Sequence, residues 1–476
     1  MNRDPVDGSR FLAGTGSLPQ WDAESTIVAP ATPAGIGAVS VLRLSGSGSF
    51  PIALTMTGIS PSAHPPRTLS ICSVRNAAGE EIDAGMVAYF PAPHSFTGED
   101  VVELHLHGNP VLLAEAAEAA CTLGARPAMP GEFSRRAFEN GKMDLTQAEG
   151  LCDLIVARSA ASARAALSQL KGGIRDAVAP LRERMLSLLV LLEASIDFSD
   201  DEGIAPLPDT QVKERVSEIM VMMSRLIASY DLGHILRDGA TVAIAGVANV
   251  GKSRLLNRFL GEERAIVTEI PGTTRDYLSG EMTLSGVPVR LVDTAGLRET
   301  ADPVEREGVR RSREILAGAD LSLFLLDASR PACDGDRQAY AEVAGRPHLL
   351  LRNKSDLPVV ETGRGFDGPG RKGTFSVSAK TGEGMEALLA AISRELVPEA
   401  RAVLAEAPMT RLRHVNAARK AFAALERALR AAGEGLSLEF PAADVREAVQ
   451  ALSELTGEIA PEEVLNSIFG SFCIGK

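Results

Sequence analysis

Long apolar runs are missing from this chain, and so is any excess of positive charge. No stretch of roughly 18 apolar residues occurs, so no membrane span is expected. The first 24 residues mix Gly, Ser, Pro and scattered charge without an apolar core, and read as a flexible tail rather than a secretion signal. A cytoplasmic location is the expectation. Cysteine is scarce: Cys72, Cys121, Cys152, Cys333 and Cys473 lie far apart and are odd in number. Neither a disulfide framework nor a cysteine metal site fits that spacing. The formal net charge is −13, whereas a chain gripping nucleic acid with its main surface is usually basic. Any such contact must use a local patch or a partner subunit.

What is present needs several cores, because 476 residues exceed what one core organises. Residues 25–142 mix short apolar strands (Thr26–Ala29, Val39–Leu44, Val87–Phe90, Val101–Leu106) with a helix predicted over Pro110–Leu123, stopped by Gly124. Asp144-Leu145-Thr146-Gln147 fits a capping box opening a helical stretch. Apolar residues recur at helical spacing to about Leu170, from Val178 to Ile196 and from Thr210 to His234. At Gly239 the texture changes to strands alternating with helices, a mostly parallel α/β domain running to residue 399. Residues 400–476 are helical again. The helices of 143–238 and 400–476 are expected to form one discontinuous bundle, with the 239–399 domain inserted between its halves.

The β-branched strand Thr241–Gly246 runs into the Gly-rich loop Gly246-Val247-Ala248-Asn249-Val250-Gly251-Lys252-Ser253, followed by Arg254 and a helix. This is a P-loop in its proper context. Its glycines let backbone N–H groups curl around phosphates at a helix N-terminus. Lys252 is placed to reach the β/γ oxygens, and Ser253 to ligate Mg2+. Asp293-Thr294-Ala295-Gly296 follows an apolar strand, where Asp293 can hold Mg2+ through water and Gly296 can approach a γ-phosphate. Asn353-Lys354-Ser355-Asp356 offers a carboxylate, Asp356, that accepts both N1–H and N2–H2 of guanine, a donor pair adenine lacks. Ser378-Ala379-Lys380 supplies backbone for guanine O6. The order and spacing are those of a GTPase, so GTP rather than ATP is the expected nucleotide.

Ras-like GTPases orient the attacking water with a glutamine directly after Asp-x-x-Gly. Here that position is Leu297, which cannot do so. An arginine finger contributes roughly 10³–10⁵ in rate, so a replacement matters. Asn249 lies in the P-loop, where its side-chain oxygen can ligate a monovalent cation such as K+. Thr268-Glu269-Ile270-Pro271-Gly272-Thr273-Thr274 forms a switch loop whose carbonyls can complete that cation's shell, with Thr274 completing that of Mg2+. Pro271 biases Ile270 toward an extended backbone. Glu305 is either the water-positioning carboxylate or a solvated charge beside Arg306 and Arg310.

The P-loop asparagine, Gly272–Asp276, Asp293–Glu299 and Cys473-Ile474-Gly475-Lys476 together resemble the MnmE (TrmE) family of bacterial tRNA-modification GTPases. Further stretches carry the resemblance: Ala31-Thr32-Pro33, Ser95–Asp100 and Pro130–Ser134. It runs from about Ser25 to Lys476. The resemblance implies a multidomain α/β plus all-α architecture: an N-terminal folate-binding and dimerisation α+β domain, a discontinuous helical bundle, and an inserted Ras-like G domain. It implies a homodimer whose G domains pair across a K+-dependent interface. It also implies a FAD-containing partner, MnmG (GidA), in a heterotetramer or larger assembly. Together these modify C5 of the wobble uridine of certain tRNAs to an aminomethyl or carboxymethylaminomethyl group. The carbon is implied to come from 5-formyl- or 5,10-methylene-tetrahydrofolate. By position, Asn249 and Thr273 would bind K+ through side chains, and Thr268 and Ile270 through carbonyls. Ser253 and Thr274 would hold Mg2+, and Glu305 would be catalytic. Arg43, Glu103, Lys142 and Lys476 match folate-pocket positions. Cys473 matches a cysteine of the modification chemistry, or else packs as a small apolar residue in the last helix. Ala248 departs from the family's usual proline, with little expected beyond a looser apo loop.

A second class stays open, a ribosome-assembly GTPase switch, whose G domains share these motifs. Such proteins usually carry basic modules or a duplicated G domain, and neither occurs here. For tRNA, Arg158, Arg164, Lys171 and Arg175 on the first long helix are candidate contacts.

Overall fold

The computed structural model describes residues 22–197, 207–262, 279–294, 313–360, 365–396 and 409–475. It divides into two compact units, residues 1–152 with 453–476, and residues 153–452.

The first unit is built on a six-stranded sheet in the order β3-β4-β5-β2-β1-β6. The strands are β1 (Ile27–Pro30), β2 (Val39–Ser45), β3 (Ser70–Arg75), β4 (Glu81–Phe90), β5 (Val101–His107) and β6 (Arg126–Pro127). All pair antiparallel except β1 with β6. Strict alternation sets the two faces. Leu42, Leu44, Val102, Leu104 and Leu106 are buried in one core with Ile52, Ala53 and Met56 of helix Ser49–Thr57 and Leu113, Ala116, Ala117 and Ala120 of helix Pro110–Thr122. Arg43, Glu103 and His105 therefore point to the other face. Pro110 occupies the first turn and Asn109 caps it, accepting from the Val111 N–H at 2.8 Å. Strand β3 and the helices Ser49–Thr57 and Glu132–Glu139 lie outside the predicted elements. The first two carry exposed apolar residues that blur the periodic signal, and Glu132–Glu139 buries charge instead.

That buried charge closes on itself. Glu132 receives Arg126 at 2.6 Å and Arg136 at 3.0 Å, while Arg136 also donates to Glu99 at 3.1 Å. Fully buried carboxylates and guanidiniums need such pairing. The end of the chain joins the same unit. Leu465, Ile468, Phe469 and Phe472 pack with Leu145 and Ala148. Two glycines let this segment approach the rest of the unit closely. At Gly131 (φ 68°) a methyl would overlap the Phe469 carbonyl, and at Gly475 (φ 93°) that of Pro30.

The second unit contains another six-stranded sheet, ordered β12-β11-β10-β7-β9-β8. Its strands are β7 (Ala240–Ala245), β8 (Ser279–Leu284), β9 (Val287–Asp293), β10 (Leu321–Asp327), β11 (His348–Asn353) and β12 (Arg371–Val377). Only the β8–β9 hairpin is antiparallel. Every residue of β10 is buried, as expected for a central parallel strand covered on both faces.

The helices largely follow the sequence expectation, with breaks where the chain caps itself. Asp144 and Gln147 form the expected reciprocal box, at 3.0 and 2.8 Å. The first stretch is two helices, Leu145–Val156 and Ala160–Leu170, because Ser159 and Ser162 form a new capping box between them. Arg158 thus precedes the second helix, Lys171 caps its end and Arg175 falls on the next, Gly173–Asp197. Arg158 pairs with Glu281 at 2.8 Å and Arg175 with Asp176 at 3.1 Å. Asp209–Asp238 is long and apolar enough to cross a membrane by length and composition alone. Within it, the buried stripe Val212, Val216, Ile219 and Met223 belongs to helix Asp209–Ala228, which packs on Leu412–Gly433 and Gly173–Asp197. Helices from both sides of the α/β domain pack together, Asp209–Ala228 lying against both Gly173–Asp197 and Leu412–Gly433, while residues 453–475 belong to the first unit.

One carboxylate ties both connections of the α/β domain to the helices. Asp153, nearly buried, accepts from Arg237 just before β7 at 3.1 Å and from Arg411 just after the domain at 2.7 Å. Asp153→Ala takes that shared acceptor from two mostly buried guanidiniums and is expected to cost about 2–3 kcal/mol. Urea unfolding of the full chain, with the midpoint lowered at constant slope, checks this.

Candidate functional site

Strand β7 delivers the chain into the P-loop, and close packing dictates its glycines. A Cβ on Gly246 (φ 142°) would sit 2.7 Å from the Leu325 carbonyl, and one on Gly251 (φ 103°) would overlap the Asn353 amide. Asn249 is left-handed at φ 64°, a conformation asparagine tolerates better than most residues. Helix Lys252–Glu262 begins here, buried along Lys252, Leu255, Leu256 and Phe259. Lys252 Nζ donates to the Gly246 and Val247 carbonyls at 2.9 and 3.0 Å, bonds it can exchange for phosphate oxygens. Burial pulls its pKa down, opposed by the Asp293 charge.

Ser253 Oγ donates to Asp293 Oδ2 at 2.7 Å. Asp293 Oδ1 is buried and meets no hydrogen-bond partner among the described residues. A hard cation carrying bound water satisfies such an oxygen, and this hydroxyl–carboxylate set fits Mg2+. When bound, Mg2+ would neutralise phosphate charge. Thr294 anchors the same strand end, its hydroxyl donating to the Ile244 carbonyl at 2.8 Å.

At the base end, Asn353 joins two loops. Its Nδ2 donates to the Val250 carbonyl at 2.7 Å, and its Oδ1 accepts from the Ala379 N–H at 3.0 Å. The Ala379 N–H, within the Ser378-Ala379-Lys380 backbone expected at guanine O6, is engaged by Asn353 in this structure. Ser378 donates to Asp356 at 2.6 Å and, with Lys380 3.9 Å away, holds that carboxyl below its ordinary range. Lys354, left-handed at φ 68°, pairs with Asp327 at 2.6 Å. Burial raises the Asp327 pKa, but Lys354 and Ser329 outweigh it and hold the carboxyl ionised. Asp327 and Arg258 carry no motif, so sequence reasoning misses them. Arg258 donates to the Lys380 carbonyl at 2.6 Å and the Ala379 carbonyl at 3.5 Å.

Asn249, Val250, Gly251, Lys252, Ser253, Asp293, Thr294, Asn353, Asp356, Ser378 and Ala379 thus line adjoining loop ends at the same edge of one sheet. Arg254 adds a positive charge felt at Asp356. Thr268 to Thr274, Ala295, Gly296, Leu297, Glu305 and Lys476 lie outside the described residues.

In the first unit, register places Arg43 directly opposite Glu103. Arg43 Nε and Nη2 both donate to Glu103 Oε1, at 3.0 and 2.8 Å, and its guanidinium lies 5.6 Å from the Phe96 ring centre and 5.9 Å from that of Phe133. His105 reaches the second Glu103 oxygen at 3.5 Å. Lys142 Nζ donates to the Pro93 carbonyl at 2.8 Å, on the segment that also carries Phe96. Gly475 lies against Pro30, beside Ala29, which is the register partner of Arg43. Cys473 is exposed, and its carbonyl accepts from the Gly131 N–H at 3.5 Å.

The model of the GTP-binding protein TrmE N-terminus matches residues 26–142, and that of the MnmE helical domain matches residues 145–473. The tRNA modification GTPase MnmE of Aquifex aeolicus is 43% identical over 453 residues, covering 94% of this chain and 99% of its own length. The chain belongs to the MnmE family. The MnmE of Paramagnetospirillum magneticum is likewise 43% identical, over 95% of this chain and 99% of its own. Among solved structures, the G domain of the T. maritima FeoB iron transporter is 24% identical, covering 33% of this chain and 98% of that one, at a TM-score of 0.25. The fold is that of the family: a TrmE N-terminal domain, a helical domain and a Ras-like P-loop G domain. The chain is a GTPase.

Asp356→Asn replaces an acceptor of two guanine N–H groups by an amide that can donate to xanthine O2. GDP affinity is expected to fall about 100-fold, some 3 kcal/mol, while XDP gains. Competition of both nucleotides against a fluorescent guanine analogue measures the exchange.

Proposed function

We propose that this GTPase is K+-activated and, with the FAD-dependent partner MnmG, installs an aminomethyl or carboxymethylaminomethyl group at C5 of the wobble uridine in certain tRNAs. The observation carrying this reading is that one MnmE-family chain holds both an assembled guanine-nucleotide site and, on its other sheet, the Arg43–Glu103 pair walled by Phe96 and Phe133. The relatives named above are tRNA modification GTPases. A carboxylate held by a guanidinium suits the amino and ring N–H donors of a pterin, and aromatic walls suit its plane. Lys142 and Lys476 are assigned to the same folate derivative, as a 5-formyl or 5,10-methylene carrier of the one-carbon unit. Cys473 would act in the modification.

In the G domain, Lys252 and the P-loop amides bind the phosphates, and Ser253, Thr274 and Asp293 serve Mg2+. Asn249, Thr268, Ile270 and Thr273 are assigned to K+, with Glu269, Pro271 and Gly272 shaping that loop. Glu305 positions the attacking water, taking the role that Leu297 cannot. Residues 25–142 would dimerise, residues 143–238 and 400–476 would form the helical domain, and 239–399 the G domain. The working form is a cytoplasmic homodimer that assembles with MnmG and tRNA.

Mass analysis of tRNA nucleosides from a strain lacking this chain is expected to show loss of the modified wobble uridine, with the Arg43→Ala chain failing to restore it. Unchanged nucleosides in the deletion strain would sink the proposal. For the cation, GTP turnover in K+ is expected to exceed that in Na+ by tenfold or more. Equal turnover removes K+ from the mechanism.

A further inference from the structure

Between the P-loop and the base-recognition loop lie two bridges. One is Asn353, part of a recognised motif. The other is Arg258, six residues beyond Lys252 on the helix that the P-loop starts. From the geometry we infer that Arg258 is a positioning residue for guanine. It fixes the Ser378–Lys380 backbone to the phosphate-binding helix and thereby sets how long the nucleotide stays bound.

The loop itself is a tight turn. Ser378 N–H donates to the Glu383 carbonyl at 3.0 Å, Gly382 N–H to the Ser378 carbonyl at 2.8 Å and Thr381 N–H to Ser378 Oγ at 3.1 Å. These bonds do not involve the carbonyls of Ala379 and Lys380. Both of those accept from Arg258, the Lys380 carbonyl at 2.6 Å from Nη2 and the Ala379 carbonyl at 3.5 Å from Nε. A trans peptide places its C=O and its N–H on opposite sides of one plane. Turning the Ala379 carbonyl toward Arg258 therefore turns the Lys380 N–H away from it. The Ala379 N–H is engaged by Asn353. The Lys380 N–H therefore faces away from Arg258, on the loop whose backbone is assigned to guanine O6, and Arg258 sets its direction. Both bonds are charge-assisted, and the shorter one, at 2.6 Å, is the stronger of the two. The same helix carries Lys252 at its start, so a movement of the base loop is felt at the phosphates through one rigid element.

The prediction rests on guanine-nucleotide binding by the full chain, so the wild type is measured first. In stopped-flow displacement of mant-GDP, Arg258→Ala is expected to raise the dissociation rate about tenfold, with the association rate changed less than twofold. Arg258→Lys, which can restore one bond, is expected to recover part of the loss. The apo melting temperature should remain within about 2 °C of wild type. An unchanged dissociation rate in Arg258→Ala overturns the assignment. So does a faster rate accompanied by a lowered apo melting temperature and no rescue by lysine, which would mark a general loosening of the fold. A wild-type chain that fails to bind mant-GDP overturns the reading of the nucleotide site as well.

Discussion

Inserting an α/β domain into a helical array requires that its two connections meet, and in this chain one carboxylate makes them meet. Asp153 receives Arg237 on the way in and Arg411 on the way out. Without a shared anchor, each connection would be an independent tether, and the domain's orientation on its helices would rest on packing alone. Packing does contribute: Ala161 and Ala165 of helix Ala160–Leu170 are buried in the same apolar cluster as Leu284, Val287 and Leu291 of the β8–β9 hairpin. Small side chains permit that approach, but they bury little area, roughly one methyl each. A nearly buried acceptor for two guanidiniums adds direction that alanine methyls lack.

The nucleotide site repeats the arrangement on a smaller scale. Its parts come from separate strand ends, and polar side chains tie them together. Asn353 joins the P-loop to the base loop, Ser378 orients Asp356, and Ser253 orients Asp293. Each bond contributes modestly to stability, on the order of 1 kcal/mol. Their combined effect is geometric, because the proposed roles of Asp356 at guanine and Lys252 at the phosphates would require a fixed distance between two loops. The buried Asp293 Oδ1 marks where that network ends and the nucleotide's own cation belongs.

Much of this was legible in the sequence because phosphate and guanine recognition constrain residue type and spacing together. Gly246, Gly251, Lys252, Ser253, Asp293, Asn353 and Asp356 announce themselves for that reason. The central strands were equally plain, since a parallel strand buried on both faces, such as β10, is a continuous apolar run. Arg258 and Asp327 were not legible: a guanidinium gripping backbone carbonyls and a carboxylate balancing Lys354 obey no spacing rule. Asp153 looked like any helix carboxylate. The break at Ser159 was hidden because alanine-rich sequence continues across it with helical periodicity. The strand pairing of Arg43 with Glu103 likewise depends on register between segments 60 residues apart. Residue matching to a family could suggest a shared pocket, but only register puts the two side chains opposite each other.

The division of the helices between two units has a consequence for the first sheet. Residues 453–475 complete a unit whose other part ends at residue 152, so the chain between them must be closed as a loop of roughly 300 residues. For a flexible chain that closure costs about 5 kcal/mol, and the cost grows only logarithmically with length. An intervening segment that folds on its own replaces that flexible loop by a compact one, which lowers the cost further. The returning end then has to be held closely, and the glycines show how: Gly131 and Gly475 let backbone meet backbone where any side chain would intervene. The contact at Gly475 falls on Pro30, one residue from the register partner of Arg43. The returned end therefore meets β1, the strand whose Ala29 pairs with Arg43, and a ligand bound to this unit would stabilise the closed loop by linkage.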